Sequence, residues 1–163
     1  MKRFLVLLIL VLSIFTLVAC SSDEAPADNN DGNTAVESAT DMQAIYDSYT
    51  SYLPEMILLD DNSMLNLYGV DTSKCKQAII ANCSDGLRSD EVWLIEANDE
   101  AYAKEVATLA QNRIDREAQE TQNYAPDQYA VVQNAKIIED GCNVVMIISP
   151  DVDTLADLYN SAK

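Results

Sequence analysis

The residues of this 163-residue chain that could do chemistry are mostly carboxylates: 27 Asp and Glu stand against ten Lys and Arg, with four cysteines and no histidine. Paired acids suit glycosidase-type hydrolysis, in which two carboxyls face each other across a cleft about 5 to 9.5 Å apart. No pair here is selected by its spacing. Glu91 and Glu96 fall at opposite ends of one predicted strand and on opposite faces, and Asp99 and Asp151 sit in predicted first turns of helices. The lack of histidine removes imidazole zinc sites, the serine–histidine relay and histidine acid–base catalysis together. The thiols have no imidazole to activate them, and a thiol attacks as its thiolate. Asp28, Asn30 and Asp31 suggest a calcium loop, but Gly32 then falls at the fifth ligand position and no glutamate closes the ring. The chain therefore reads as a non-enzyme, with no catalytic residue, metal ligand or cofactor assigned.

One cysteine has a clear chemical role. Lys2 and Arg3 precede the apolar run Phe4 to Val18, and Leu17-Val18-Ala19 leads into Cys20. A basic start, a short apolar core and small residues before a cut describe a signal peptide. The run is shorter than the roughly 20 apolar residues of a spanning helix. Cleavage between Ala19 and Cys20, with lipid joined to the Cys20 sulfur, is what resemblance to the bacterial lipobox implies. Two or more acyl chains, palmitate among them, are needed for stable anchoring, since each buried methylene adds only about 0.8 kcal/mol. The expected address is the outer side of the cell membrane.

Removal of Lys2 and Arg3 with the leader leaves eight bases against 27 acids, a net charge of −19. Such an excess argues against nucleic acid, whose phosphates it repels. It also disfavours lying flat on an anionic bilayer, although that repulsion reaches only about a Debye length, roughly 8 Å. The other cysteines are Cys75, Cys83 and Cys142. Cys75 and Cys83 would end one straight strand about 26 Å apart at 3.3 Å per residue, too far for a disulfide. Either could reach Cys142 only from a neighbouring strand.

The elements that position these residues follow from periodicity. Residues 20–40 hold the lipidated cysteine and then almost nothing large and apolar, which predicts a disordered acidic tether with a reach of about 25 Å. A single domain over 41–163 follows. Met42, Ile45, Tyr46, Tyr49 and Leu53 recur at helical spacing up to Pro54, and a short helix from Asn62 to Tyr68 ends at Gly69. Cys75–Cys83 and Glu91–Ala97 predict a hairpin around Asp85-Gly86; Asn98 can cap a long helix over 99–122. Pro126 opens a shorter helix to about Gln133. Lys136–Glu139 and Cys142–Ile148 flank Asp140-Gly141, a second hairpin signal, and a closing helix runs over 151–161. Val92, Leu94, Ile95 and Asp99 match Val144, Met146, Ile147 and Asp151 at a constant offset of 52. Two hairpin-plus-helix units predict an α+β domain with a four-stranded antiparallel sheet and helices mainly on one face.

Three segments carry a family likeness: Leu67-Tyr68-Gly69-Val70-Asp71, Asp90 through Ala97, and Asn123-Tyr124-Ala125-Pro126-Asp127-Gln128-Tyr129. Their order and spacing resemble the domain-of-unknown-function family numbered four-three-five-eight, and the likeness spans most of Tyr46 to Ile148. The resemblance implies a small lipoprotein of clostridia-like bacteria and transfers no activity or catalytic residue.

The functional expectation is a surface lipoprotein held to the membrane by its N-terminal lipid, acting as a non-catalytic protein-interaction module of the cell envelope. Trp93, Tyr124 and Tyr129 are the candidate partner-binding residues, as rigid amphipathic contacts. The alternatives are a small-ligand or ion capture protein associated with a transporter, and a carboxylate-dependent hydrolase. An exposed apolar sheet face would favour the first reading, an enclosed pocket lined by tyrosines the second, and two acids converging in a cleft the third.

Overall fold

The computed structural model describes residues 40–163. The expected leader, the lipid site at Cys20, the cut after Ala19 and the tether lie outside the described residues. Helix α1 (Met42–Tyr49) starts at Asp41, whose carboxylate accepts the N–H groups of Gln43 and Ala44. Strand β1 (Met56–Leu58) follows, then a short helix α2 (Asp61–Ser63) that runs into a π-helical turn, Met64–Tyr68, closed by Gly69. Strands β2 (Cys75–Cys83) and β3 (Glu91–Ala97) lead to the long helix α3 (Glu100–Thr121). Helix α4 (Pro126–Gln133), strands β4 (Lys136–Asp140) and β5 (Asn143–Ile148), and helix α5 (Val152–Ala162) complete the chain.

The strands form one antiparallel sheet in the order β1-β2-β3-β5-β4, five strands where four were expected. The addition is β1, whose three residues pair Met56 with Cys83, Ile57 with Asn82 and Leu58 with Ala81. Three residues are too few for a period-2 pattern to register in the sequence, so only pairing to the free edge of β2 defines this strand. The helices also cover both faces, not mainly one. Trp93, Ile95, Val144, Met146 and Ile148 pack with Val106 and Ala110 of α3 and Val132 of α4. Val92, Leu94, Val145 and Ile147 pack on the other face with Ile45 and Tyr49 of α1 and Leu155 and Tyr159 of α5. Every side chain of β3 is buried, and a central strand that is apolar on both faces needs cover on both.

The two hairpin-plus-helix units therefore differ in hand. At the offset of 52, Val92 and Leu94 line the α1/α5 face whereas Val144 and Met146 line the α3/α4 face. Side chains alternate along a strand, so a match displaced by one residue lands on the opposite side. The sheet order puts β5 between β3 and β4, which makes β3–α3–α4–β4 a crossover between two parallel strands with an antiparallel one inserted. The β4–β5 turn is Gly141-Cys142, one residue later than the sequence suggested, with Gly141 at φ 59°.

Cys75 pairs with Ala97, and Ala97 in turn donates its N–H to the carbonyl of Cys142, so those two cysteines are two strands apart. Cys83 lies at the other end of β2, and all three thiols are free.

Gly69 closes its turn at φ 78°, where its N–H reaches the carbonyls of Met64 and Leu65. A side chain there is strained by about 1–2 kcal/mol. Urea titration is expected to show Gly69→Ala destabilised by that amount, whereas Gly86→Ala, which meets nothing within 4 Å, is neutral. Equal stability of the two variants would contradict the left-handed assignment.

Candidate functional site

Trp93 is the only tryptophan in the chain, and strand alternation carries it and Glu91 to the α3/α4 face. Both are fully or almost fully buried. A carboxylate there must be paired or neutralised, because removal from water costs an ion several kcal/mol. The structure pairs it. The indole N–H of Trp93 donates to Glu91 Oε1 at 2.7 Å, and Arg113 of α3 places Nη2 2.7 Å and Nε 2.9 Å from Glu91 Oε2.

Arg113 has further partners. Its Nη2 lies 2.8 Å from Oε2 of Glu117, one helical turn on. Its guanidinium also sits 5.4 Å from the ring centroid of Tyr68, itself 5.2 Å from the Trp93 ring. The Tyr68 hydroxyl accepts from Asn82 Nδ2 at 2.6 Å. On the far side, Ser89 Oγ donates to Glu117 Oε1 at 2.8 Å, while the Ser89 N–H donates to Gln128 Oε1 at 3.0 Å. Tyr68, Glu91, Trp93, Arg113, Glu117 and Gln128 thus form one connected cluster.

This cluster draws on all three of the distinctive sequence segments: Tyr68 from the first, Glu91 and Trp93 from the second, Gln128 from the third. Arg113 stands on the inner face of α3, where a charge signals a buried partner, but the sequence does not say which acid that is. Glu117 follows Arg113 at the i,i+4 spacing of helical ion pairs. Ser89 and Gln128 carry no such signal.

Burial pushes the Glu91 carboxyl up, and the hydrogen bond and charge of Arg113 work against that rise. Burial alone would lower Arg113, but its bonds to Glu91 dominate and hold it firmly cationic. Two acids do converge here, yet on a cation that occupies the space between them. Asp90, also buried, accepts from Arg88 Nε at 2.9 Å through Oδ2, while its Oδ1 has no partner among the described residues.

Glu96 ends the same strand on the other face. Lys76 Nζ at 2.7 Å and Gln77 Nε2 at 2.9 Å hold it, and the Lys76 hydrogen bond lowers its carboxyl below the ordinary value. Gln77 also accepts the N–H of Met42, which ties the start of α1 to β2. The long helix is capped one residue later than expected, by the Asp99 carboxylate on Tyr102 N–H.

The partner-binding candidates separate. Trp93 is wholly core, so its ring is closed to any surface contact. Tyr124 is 90% exposed in the break between α3 and α4, and Tyr129 is half-buried on α4. Tyr46, Tyr49 and Tyr159 belong to the core. The hollow beside Tyr102, about 370 Å³ between Gly69, Asp71, Lys74 and Leu109, opens to solvent. Among the described residues no group of three or more Cys, Asp or Glu could hold a metal ion, and no helix is long and apolar enough to cross a membrane.

Two consequences follow from the charges. Arg113→Met leaves Glu91 buried without its cation and is expected to cost about 3–5 kcal/mol in urea titration, followed by Trp93 fluorescence. The loss should deepen as pH rises, because the folded state then holds a Glu91 proton that the unfolded chain releases. Glu91→Leu/Arg113→Met, with no charge at position 91, is expected to recover part of it; a double variant weaker than the single one would contradict the pairing. Glu96 has the opposite sign. Its stabilisation is complete above the usual carboxylate range and drains as pH falls through its lowered folded value, so Glu96→Gln is expected to flatten the acid limb of the stability profile.

No curated protein and no solved structure matches the chain. Residues 48–149, which contain every member of the cluster around Trp93, match the domain of unknown function DUF4358, and the chain belongs to that family.

Proposed function

We propose that this chain is a membrane-anchored surface lipoprotein whose domain binds a protein partner in the cell envelope and is not a catalyst. The reading is supported most by where the domain exposes apolar side chains. Among the described residues seven large hydrophobic side chains are exposed, and six of them lie between Tyr52 and Leu87, around the β1 edge and the β2–β3 turn. Ile57, Leu58, Leu65 and Leu67 are each at least half exposed, and Leu87 is 84% exposed. Exposed apolar residues gathered on one part of a surface mark interaction sites, whereas scattered ones do not.

The polar groups favour the same reading. Glu91, Glu117 and Arg113 are bonded to one another, and Glu96 is held by Lys76 and Gln77. A carboxylate engaged in this way is spent on holding the fold and is not presented to a substrate. Lipid at Cys20 would keep the domain within a tether's reach of the membrane, where an envelope partner is met at high effective concentration.

Cross-linking in living cells that make the intact chain tests this. One dominant envelope protein is expected to be captured, and Cys20→Ala, which removes the lipid site, is expected to lose it. Repeated failure to capture any specific protein rejects the reading.

A further inference from the structure

We propose that the exposed edge of β1 receives an extended, cationic segment of the partner as a sixth strand. This inference rests on the protein-binding reading above and names the chemistry of its contact. The register decides which backbone groups are available. Ser84 N–H donates to the Glu55 carbonyl and Leu59 N–H to the Ile80 carbonyl, so residues 55, 57 and 59 turn their backbone groups toward β2. In an antiparallel ladder the alternate residues face away. Met56 and Leu58 therefore direct N–H and C=O outward, where no other described strand pairs with them. An edge of this kind is a template for strand addition, with main-chain bonds supplying affinity and alternate side chains specificity.

The opposite edge is protected. Strand β4 carries Lys136, Glu139 and Asp140; Lys136 pairs with Asp153 of α5, and Asp140 pairs with Lys163 just beyond it. Charged edges with paired charges resist strand addition. Strand β1 carries Ile57 and Leu58, about half exposed, with Leu65 and Leu67 exposed on the turn that follows.

Charge selects the occupant. Residues 40–73 contain Asp41, Asp47, Glu55, Asp60, Asp61 and Asp71 and not one Lys or Arg. A second copy would bring the same acids against them. The chain's own residues 21–39 carry five more acids and no base. Both are repelled, which leaves a segment of another protein in which Lys or Arg alternates with β-branched apolar residues. Strand alternation puts Met56 and Leu58 on the α1/α5 face and Ile57 on the other, so its apolar side chains would lie along Met56 and Leu58, and its cations on the opposite face would answer the acids around Ile57, Glu55 and Asp61 among them.

The probe is a fluorescent peptide alternating Lys with Ile and Val. Its controls are the same peptide with Glu for Lys and a version N-methylated on alternate amides. The full chain is held in nonionic detergent, with binding read by anisotropy and contact by hydrogen exchange. The cationic peptide is expected to bind, to weaken with salt, and to protect the Met56 and Leu58 amides. Leu58→Pro removes an N–H that the domain's own sheet does not use, so the fold is expected to persist by its Trp93 fluorescence while binding falls about tenfold or more, the loss of a hydrogen bond and the strand geometry around it. Glu55→Gln/Asp61→Asn is expected to reduce affinity for the cationic peptide and flatten its salt dependence. If Leu58→Pro fails to fold, the N-methylated peptide tests the same backbone contact: its loss of binding supports strand addition, and undiminished binding overturns it.

Equal binding of the acidic peptide, no binding of the cationic one, or protection elsewhere overturns the proposal. So does protection of Met56 and Leu58 that grows with protein concentration alone, which would make a second copy the occupant. Uptake of neutral phosphatidylcholine vesicles with no peptide binding would assign the apolar residues to lipid. If the peptide fails while cross-linking still captures an envelope protein, the strand-addition inference falls and the binding reading stands. If both fail, both fall.

Discussion

The bond between Glu91 and Arg113 is the constraint on which the α3 side of this domain depends. A carboxylate 2% exposed on a central strand would be intolerable alone, and an arginine on the inner face of a long helix would be as well. Each makes the other admissible, and the pair fixes where α3 lies along the sheet. The geometry then spreads. Trp93 keeps its N–H on Glu91, Tyr68 contacts both the indole and the guanidinium, and Glu117 extends the ion pair toward Ser89. Gln128 joins α4 through the Ser89 backbone. Segments separated by tens of residues are held by one network, in which removal of any charged member leaves another without its partner.

A second constraint comes from β3 and β5. Their side chains are apolar on both faces, so a two-layer domain would leave one face wet. The chain answers by sending α3 and α4 over one face and folding α1 and α5 over the other. The inserted position of β5 between β3 and β4 serves the same end. It places the two most buried strands side by side in the centre and leaves β1 and β4, the shortest and most exposed, at the rims.

The two rims are managed differently. The β4 rim carries charges that are answered from the C-terminal end of the chain, whereas the β1 rim carries isoleucine and leucine with open backbone groups. An acidic surround at such a rim sets like charges against any second copy, and like charges at close range repel. The same field would draw a cationic segment.

The sequence by itself determined the long elements and, to within about a residue, their limits. Helical periodicity with Asn98 and Pro126 near its ends marks α3 and α4, and alternation around Asp140-Gly141 marks the last hairpin, each to within one residue, because these signals are local and need no partner. The absence of histidine, the acid excess and the position of Cys20 are likewise read from the sequence, legible without a fold. Only the tertiary structure decided the rest. Strand β1 exists because β2 has a free edge, and three residues cannot announce that. The choice of face for each helix depends on a one-residue phase between two similar hairpins, which a match of apolar positions does not resolve. Trp93 suits a surface and a core equally well until Glu91 and Arg113 are brought beside it. The partner of a buried charge lies across the fold, and spacing along the chain carries no record of it.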